Sequence, residues 1–279
     1  MSKMLRGIAV PNFGDDPAGL IELGVEVERA GFDGYFLWDH IVFSNTGEGP
    51  AIQDPWLPLA VVASQTSVVK LGTMVTPVPR RRPWQLARQT TTLDRLSGGR
   101  VILGVGIGSP AYGDFGIFDE PSGERARAER LDEGLDVLAG LWSGERFSYA
   151  GEHYKVDPVR FLPPPVQQPR IPVWVAGVLP NQRPIERAAR WDGFVPIRFD
   201  AGGLVRPSAK DIAEVSGQIA GLRDGAAEGY DMAVWAEVAQ PSADLLDEYQ
   251  AAGANWWIET ARPGQDWWPG IQARVAAGL

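Results

Sequence analysis

The stretch VKLGTMVTPVPRRRPWQLARQTTTLDRLSGGRVILGVGIG, residues 69–108, decides the fold. Its first apolar, β-branched run (69–75) stops at Thr76-Pro77. Pro83 then opens a segment of helical period that reaches Leu96 and ends at Ser97-Gly98-Gly99. A second apolar run, 101–107, follows. Strand, helix and strand in this order read as one parallel crossover unit.

The unit repeats outward in both directions. Upstream, a run at 5–10 precedes Asp16-Pro17, a cap residue with proline at the first helical position. Leu20, Leu23, Val27 and Ala30 then recur at helical spacing up to Gly31. A strand at 35–38 and a helix from 56 to about 66 complete the approach. Downstream, Leu131, Leu135, Leu138 and Trp142 mark one face of a long helix. Strands at 171–176, 194–197, 232–238 and 255–259 alternate with helices at 185–189, 208–222, 242–249 and 266–277. Ser208-x-x-Asp211 supplies a capping box for the second of these helices. Eight strand–helix units in 279 residues predict a closed (β/α)8 TIM barrel, a single α/β domain over 1–279, rather than an open doubly wound sheet. The one interruption, about 146–165, reads as a small hairpin insertion turning at Ala150-Gly151, with Pro163-Pro164-Pro165 leading back out.

Composition narrows the function. Hydrophobic residues are 44% and charged residues 22%, as in globular chains, so bulk disorder is excluded. A net charge of −9 disfavours phosphate backbones, and no nucleic-acid partner is expected. The chain has no cysteine, which removes thiol catalysis, Cys-based zinc sites and iron–sulfur clusters. His40 and His153 are the only histidines, so no metal centre is expected. No apolar run is long enough to span a membrane, and the N-terminus lacks the apolar core of a secretory signal. The expectation is a cytoplasmic soluble protein.

Barrels carry their chemistry at the carboxyl ends of the strands. Trp38-Asp39-His40 follows the second strand and offers a general acid/base beside a carboxylate that could orient it. A loop histidine capping a backbone group is the plainer reading. His153, in the hairpin, reads as structural. Gly104-Val105-Gly106-Ile107-Gly108 is not the dinucleotide fingerprint, because its third glycine comes too early. Its glycines serve either a bulky neighbour inside the barrel or a planar ligand lying on the strand. Arg80-Arg81-Arg82 could meet an anionic tail, or form a solvated or subunit-contacting loop. Of the 11 tryptophans, Trp38, Trp174 and Trp235 fall on or at the ends of strands and could line a pocket. Trp256, Trp257, Trp267 and Trp268 read more simply as core or interface. Asp39, Glu237 and Glu259 are strand-end carboxylates, the parts a barrel glycosidase would need.

Three segments together resemble one family: AGFDGYFLWDHI (30–41), the quoted stretch 69–108, and PVWVAGVLPNQRPIERAARWDGFVPI (172–197). In order and content they are similar to the bacterial-luciferase-like superfamily of flavin- and deazaflavin-dependent oxidoreductases. The match runs over most of the chain and is weakest in its last third. The resemblance implies a TIM barrel binding reduced FMN or the deazaflavin coenzyme F420 at its mouth. It implies a non-prolyl cis peptide near Thr73–Met74, and a ring lying against Thr73, Met74, Gly106 and Ile107. It implies a cofactor phosphate near Gly177, Val178 and Arg198. Asp39 and His40 fit the acidic residue and histidine that deazaflavin members carry after the second strand. The glutamate that some of them place after the fourth-strand glycines is replaced by Ser109, and the long insertion after strand seven is missing. The expected activity is F420-dependent hydride transfer to or from a small organic substrate, with His40 moving the proton. The alternative is an FMNH2-dependent two-component monooxygenase. A flavin or F420 reductase partner and a homodimer follow from the same resemblance.

Overall fold

Asp16 accepts the Ala18 N–H at 2.8 Å and Pro17 fills the first helical position, so the first helix starts where its cap residue dictates. The computed structural model describes residues 3–44, 46–201, 203–225, 229–261 and 267–279. In chain order the elements are β1 (Leu5–Val10), α1 (Pro17–Arg29), β2 (Gly34–Leu37), α2 (Trp56–Gln65), β3 (Lys70–Pro77), α3 (Pro83–Ser97) and β4 (Val101–Gly106). Then come α4 (Glu124–Trp142), β5 (Arg146–Ala150), β6 (Lys155–Arg160), β7 (Val173–Val178) and α5 (Gln182–Ala189). The chain ends with β8 (Gly193–Asp200), β9 (Gly203–Val205), α6 (Ala209–Leu222), β10 (Asp231–Glu237), α7 (Ala243–Ala251), β11 (Trp256–Thr260) and α8 (Trp267–Ala276).

Parallel pairing runs β10-β11-β1-β2-β3-β4-β7-β8, and β8 pairs back to β10, which closes the barrel. β9 is a short antiparallel addition to β8. β5 and β6 form a separate hairpin whose second strand reaches Arg160. The helix expected from residue 266 is described from Trp267; Asp266 lies outside the described residues.

Alternation along the strands divides the core in two. Phe36, Met74, Ile102, Trp174, Val195 and Trp256 fill the barrel interior. A larger cluster, including Leu20, Leu59, Leu86, Leu135, Trp142 and Trp257, lies between barrel and helices. Because both strand faces are covered, the strands read as nearly continuous apolar runs. β3 and β4 approach so closely that a Cβ on Gly72 would meet the Ile102 carbonyl oxygen, and one on Gly104 the Thr73 carbonyl oxygen. Gly104 is therefore set by backbone packing. The pairing of β3 with β4 shifts between Thr73 and Thr76, and the non-prolyl cis bond is Met74–Val75, one bond beyond the expected position.

At the amino-terminal end of the barrel Asp231 accepts the indole N–H groups of Trp174 (3.0 Å) and Trp256 (3.2 Å) and the Asn255 amide (3.0 Å). Burial pushes its carboxyl above the ordinary range, partly opposed by these bonds. Outside the barrel wall, fully buried Glu259 pairs with Arg6 (2.6 Å) and Arg274 (2.7 Å).

Candidate functional site

β2 ends at Leu37, and the chain continues extended through Trp38, Asp39 and His40. Successive side chains of an extended chain point to opposite sides. Trp38 and His40 accordingly meet, with ring centroids 5.9 Å apart, while Asp39 turns to the loop after β3. There Arg81 donates Nε to one Asp39 oxygen (2.9 Å) and Nη2 to the other (2.5 Å). Thr76 donates its hydroxyl at 2.8 Å, and Arg80 reaches both the carboxylate and the Asp39 carbonyl. Burial alone would raise the Asp39 carboxyl; Arg81 and Arg80 outweigh it and hold the group below the ordinary range. Arg80 and Arg81 are thus spent on Asp39, and only Arg82 of the triplet is exposed.

The carboxylate on His40 is a different one. Asp114 Oδ2 lies 2.7 Å from His40 Nδ1, so the expectation that Asp39 orients the ring is corrected to Asp114. Asp114 Oδ1 also accepts the backbone N–H of Ile41 (2.9 Å) and Val42 (3.2 Å). This carboxylate is almost fully buried, which raises it, but the His40 hydrogen bond and Arg80 bring it below the ordinary range. Buried Asn12, just past β1, brackets the His40 peptide: its Nδ2 donates to His40 O (2.9 Å) and its Oδ1 accepts His40 N–H (3.3 Å). Phe43 and Tyr112 stack at 4.4 Å, each edge-on to the His40 ring. A Nδ1 held by a carboxylate fixes the tautomer, leaving Nε2 as the exchanging nitrogen. Sequence reasoning missed Asp114 and Asn12. Asp114 is 74 residues from His40 and has no motif; the available signal was an acid in the loop after β4.

The other expected site residues separate. Met74 closes the barrel interior, and Thr73 Oγ1 bonds Thr76 Oγ1 at 2.8 Å. Gly106 is buried, and a Cβ there would press on Val75 Cγ2 at 3.2 Å, so packing against Val75 favours glycine at this strand end. Ile107 packs outward against the helix-side core, and its carbonyl accepts from Arg127 at 3.1 Å. Gly177 faces Pro184 of α5, and Val178 pairs with Ile197. Beyond them Asn181 begins α5 without a side-chain cap bond, so the first backbone N–H groups of that helix lack one. Arg198 turns to α6 and pairs with Asp211 at 2.8 Å. Facing the mouth, Trp38 and Trp235 stack at 6.4 Å and 12°, and neither indole N–H has a partner among the described residues; nor has the buried Thr260 hydroxyl. Of the three glycosidase carboxylates, Asp39 and Glu259 are bound by arginines, which removes the opposed acid pair that reading required.

His153 Nε2 lies 3.2 Å from Glu129 in the hairpin turn, far in sequence from the mouth residues. Glu129, Glu152 and His153 bring ligand atoms within 4.8 Å of one another, but Arg125 also holds Glu129 at 2.7 Å. Among the described residues no helix is long and apolar enough to cross a membrane.

Comparison with known proteins agrees with this architecture. The F420-dependent hydroxymycolic acid dehydrogenase of Mycobacterium tuberculosis is 31% identical over 237 residues, 84% of this chain and 61% of that protein. An F420-dependent glucose-6-phosphate dehydrogenase of Nakamurella multipartita is 32% identical over 215 residues, covering 72% of this chain and 60% of that protein. The chain thus spans about three fifths of the length of these curated relatives. The structure of the F420-dependent tetrahydromethanopterin reductase of Methanopyrus kandleri superposes with a TM-score of 0.76 over 98% of both chains at 17% identity, which shows the shared fold. The family model described as luciferase-like monooxygenase matches residues 4–214. The chain belongs to that luciferase-like family.

Proposed function

We propose that the protein is an F420-dependent oxidoreductase acting on a small organic substrate, with His40 as its proton-transfer group and Asp114 as the residue that positions it. The observation that carries this reading is the His40–Asp114 pair at the barrel mouth, at 2.7 Å. The F420-dependent relatives at 31% and 32% identity support the choice of cofactor.

The residues fit such a group in three respects. Gly106 ends β4 without a side chain, as a flat ring lying on that strand end would require. The indole N–H groups of Trp38 and Trp235 and the hydroxyl of Thr260 have no partner among the described residues, so they are free to meet a bound group at the mouth. The uncapped start of α5, after Gly177-Val178, offers backbone donors to a phosphate. Arg198 contributes at most through its backbone, because its side chain is paired with Asp211. A bound deazaflavin would supply two-electron hydride chemistry.

The chain's own residues handle the proton. Asp114 accepts from Nδ1 and stabilises the imidazolium when Nε2 takes a proton. Asn12 fixes the His40 peptide from both sides, so the ring pivots little. Phe43, Tyr112 and Trp38 cover the ring's flanks and keep bulk water from it. Asp39 acts at a distance, holding Arg80 and Arg81 beneath the loop.

Apolar side chains left exposed on α2 (Leu57, Val61) and at the end of α3 (Leu96) support a homodimer. A separate F420 reductase as electron source and a cytoplasmic location complete the proposal. The test is a pair of variants. His40→Ala should lower turnover by about 10²–10⁴-fold with cofactor affinity unchanged. Asp114→Asn should shift the pH profile as well as the rate. Full activity in His40→Ala would overturn the assignment.

A further inference from the structure

A cavity of about 820 Å³ lies beside the His40 cluster, between the β1–α1 loop, the β2–α2 loop and the start of α8. Its walls are apolar: Phe13, Leu20, Phe43, Trp267 and Trp268. Phe13 and Phe43 belong to both places, since their rings lie 6.3 Å and 5.0 Å from the His40 ring. Among the described residues, the charged groups on the lining are acidic, Asp15 and Asp16. Asp16 is engaged as the cap of α1, and both side chains are exposed at the rim. One wall is built in advance. Segment 51–53 is bound to 12–14 by Gly14 N–H to Ala51 O (2.9 Å), Gln53 N–H to Asn12 O (2.8 Å) and the Gln53 amide to Gly14 O (2.8 Å). The size suits a small-molecule site, and a preformed wall reduces the ordering cost of binding.

From this we infer that the cavity seats the body of the substrate, and that the substrate is a neutral, ring-bearing hydrophobic carbonyl or alcohol without phosphate or carboxylate. The inference rests on the oxidoreductase reading for what is done to the ligand, and on the cavity alone for what the ligand is. Aromatic walls supply area and ring stacking. An anion would leave water for an apolar cavity that offers no cation among the described residues, and would meet two rim carboxylates. A sugar phosphate is therefore the wrong chemistry for this lining.

Isothermal titration calorimetry on the cofactor-free protein tests the inference with a matched pair of probes. 2-Acetylnaphthalene is neutral; 6-acetyl-2-naphthoic acid has the same body and a carboxylate; glucose 6-phosphate is the polar control. The neutral ketone should bind at least about tenfold more tightly than its acid, and glucose 6-phosphate should show no heat. Ala51→Trp, at an exposed wall position, should fill the cavity and weaken the ketone about tenfold or more, leaving the F420 dissociation constant within about twofold. Asp15→Lys, a rim change that needs no repacking, should narrow the neutral-over-anion preference to below about threefold. Equal or tighter binding of the acid, or a ketone affinity untouched by Ala51→Trp, overturns the inference. If the ketone and both variants behave as expected while F420 fails to bind, the cavity assignment stands and the cofactor assignment falls.

Discussion

Two tryptophan pairs occupy the inside of the barrel, one at each end, and they are treated differently. At the amino-terminal end Trp174 and Trp256 meet edge to face at 5.1 Å, and both indole N–H groups donate to Asp231. At the carboxyl end Trp38 and Trp235 stack at 6.4 Å, and neither N–H has a partner among the described residues. The same residue type thus closes one end with its hydrogen bonds made and lines the other with them unmade. Between these two pairs, the closed end has its indole hydrogen bonds made, and the pair at the mouth leaves two donors free to meet a ligand.

The contrast can be broken most sharply at the mouth. His40→Ala should lower turnover by about 10²–10⁴-fold, measured by steady-state kinetics, and should also cost about 1–3 kcal/mol of stability by calorimetry, because buried Asp114 loses its partner. On the structural side, Glu259→Ala leaves Arg6 and Arg274 buried without their counter-ion, and should cost about 3–5 kcal/mol in urea unfolding with no change in cofactor affinity. A comparable cost is expected at the closed end. Asp231→Ala leaves two buried indole N–H groups unpaired, at about 1–3 kcal/mol for each. The smallest effect compares like with like. Trp256→Phe gives up a made hydrogen bond and should destabilise by about 1 kcal/mol more than Trp235→Phe, which gives up none.

The two ends should also respond to pH with opposite sign. Asp114 sits below the ordinary carboxylate range when folded, so its contribution is complete above its unfolded value and is lost as pH falls through the folded one. Asp231 sits above that range, so its contribution is present in acid and is lost as pH rises through its folded value. Unfolding free energies across acid to neutral pH for Asp114→Asn and Asp231→Asn should therefore diverge from the parent in opposite directions. Parallel curves would erase the distinction.

The barrel was legible because strands buried on both faces and helices with one apolar stripe leave different periods in the sequence, as at 69–75 and Pro83 to Leu96. His40 was legible from its place after the second strand. Its partner was not. The adjacency of Asp39 suggested a pair, yet neighbouring residues in extended chain face apart, and Asp39 serves Arg81 instead. Asp114 comes from the loop after β4, and only the closed fold brings it to His40. Arg198 and Ile107 follow the same rule: each faces the helix layer, not the mouth. Trp267 and Trp268, expected as core or interface, wall the cavity that suggests the substrate's chemistry.

The central claim is that this mouth receives a deazaflavin next to His40. Anaerobic titration of the purified protein with F420 and with FMN, each in reduced form and followed by tryptophan quenching, tests it most directly. Saturable binding of F420 with much weaker binding of FMN is the predicted result. Tight FMN binding without F420 binding would contradict it and point to oxygen chemistry with a partner reductase.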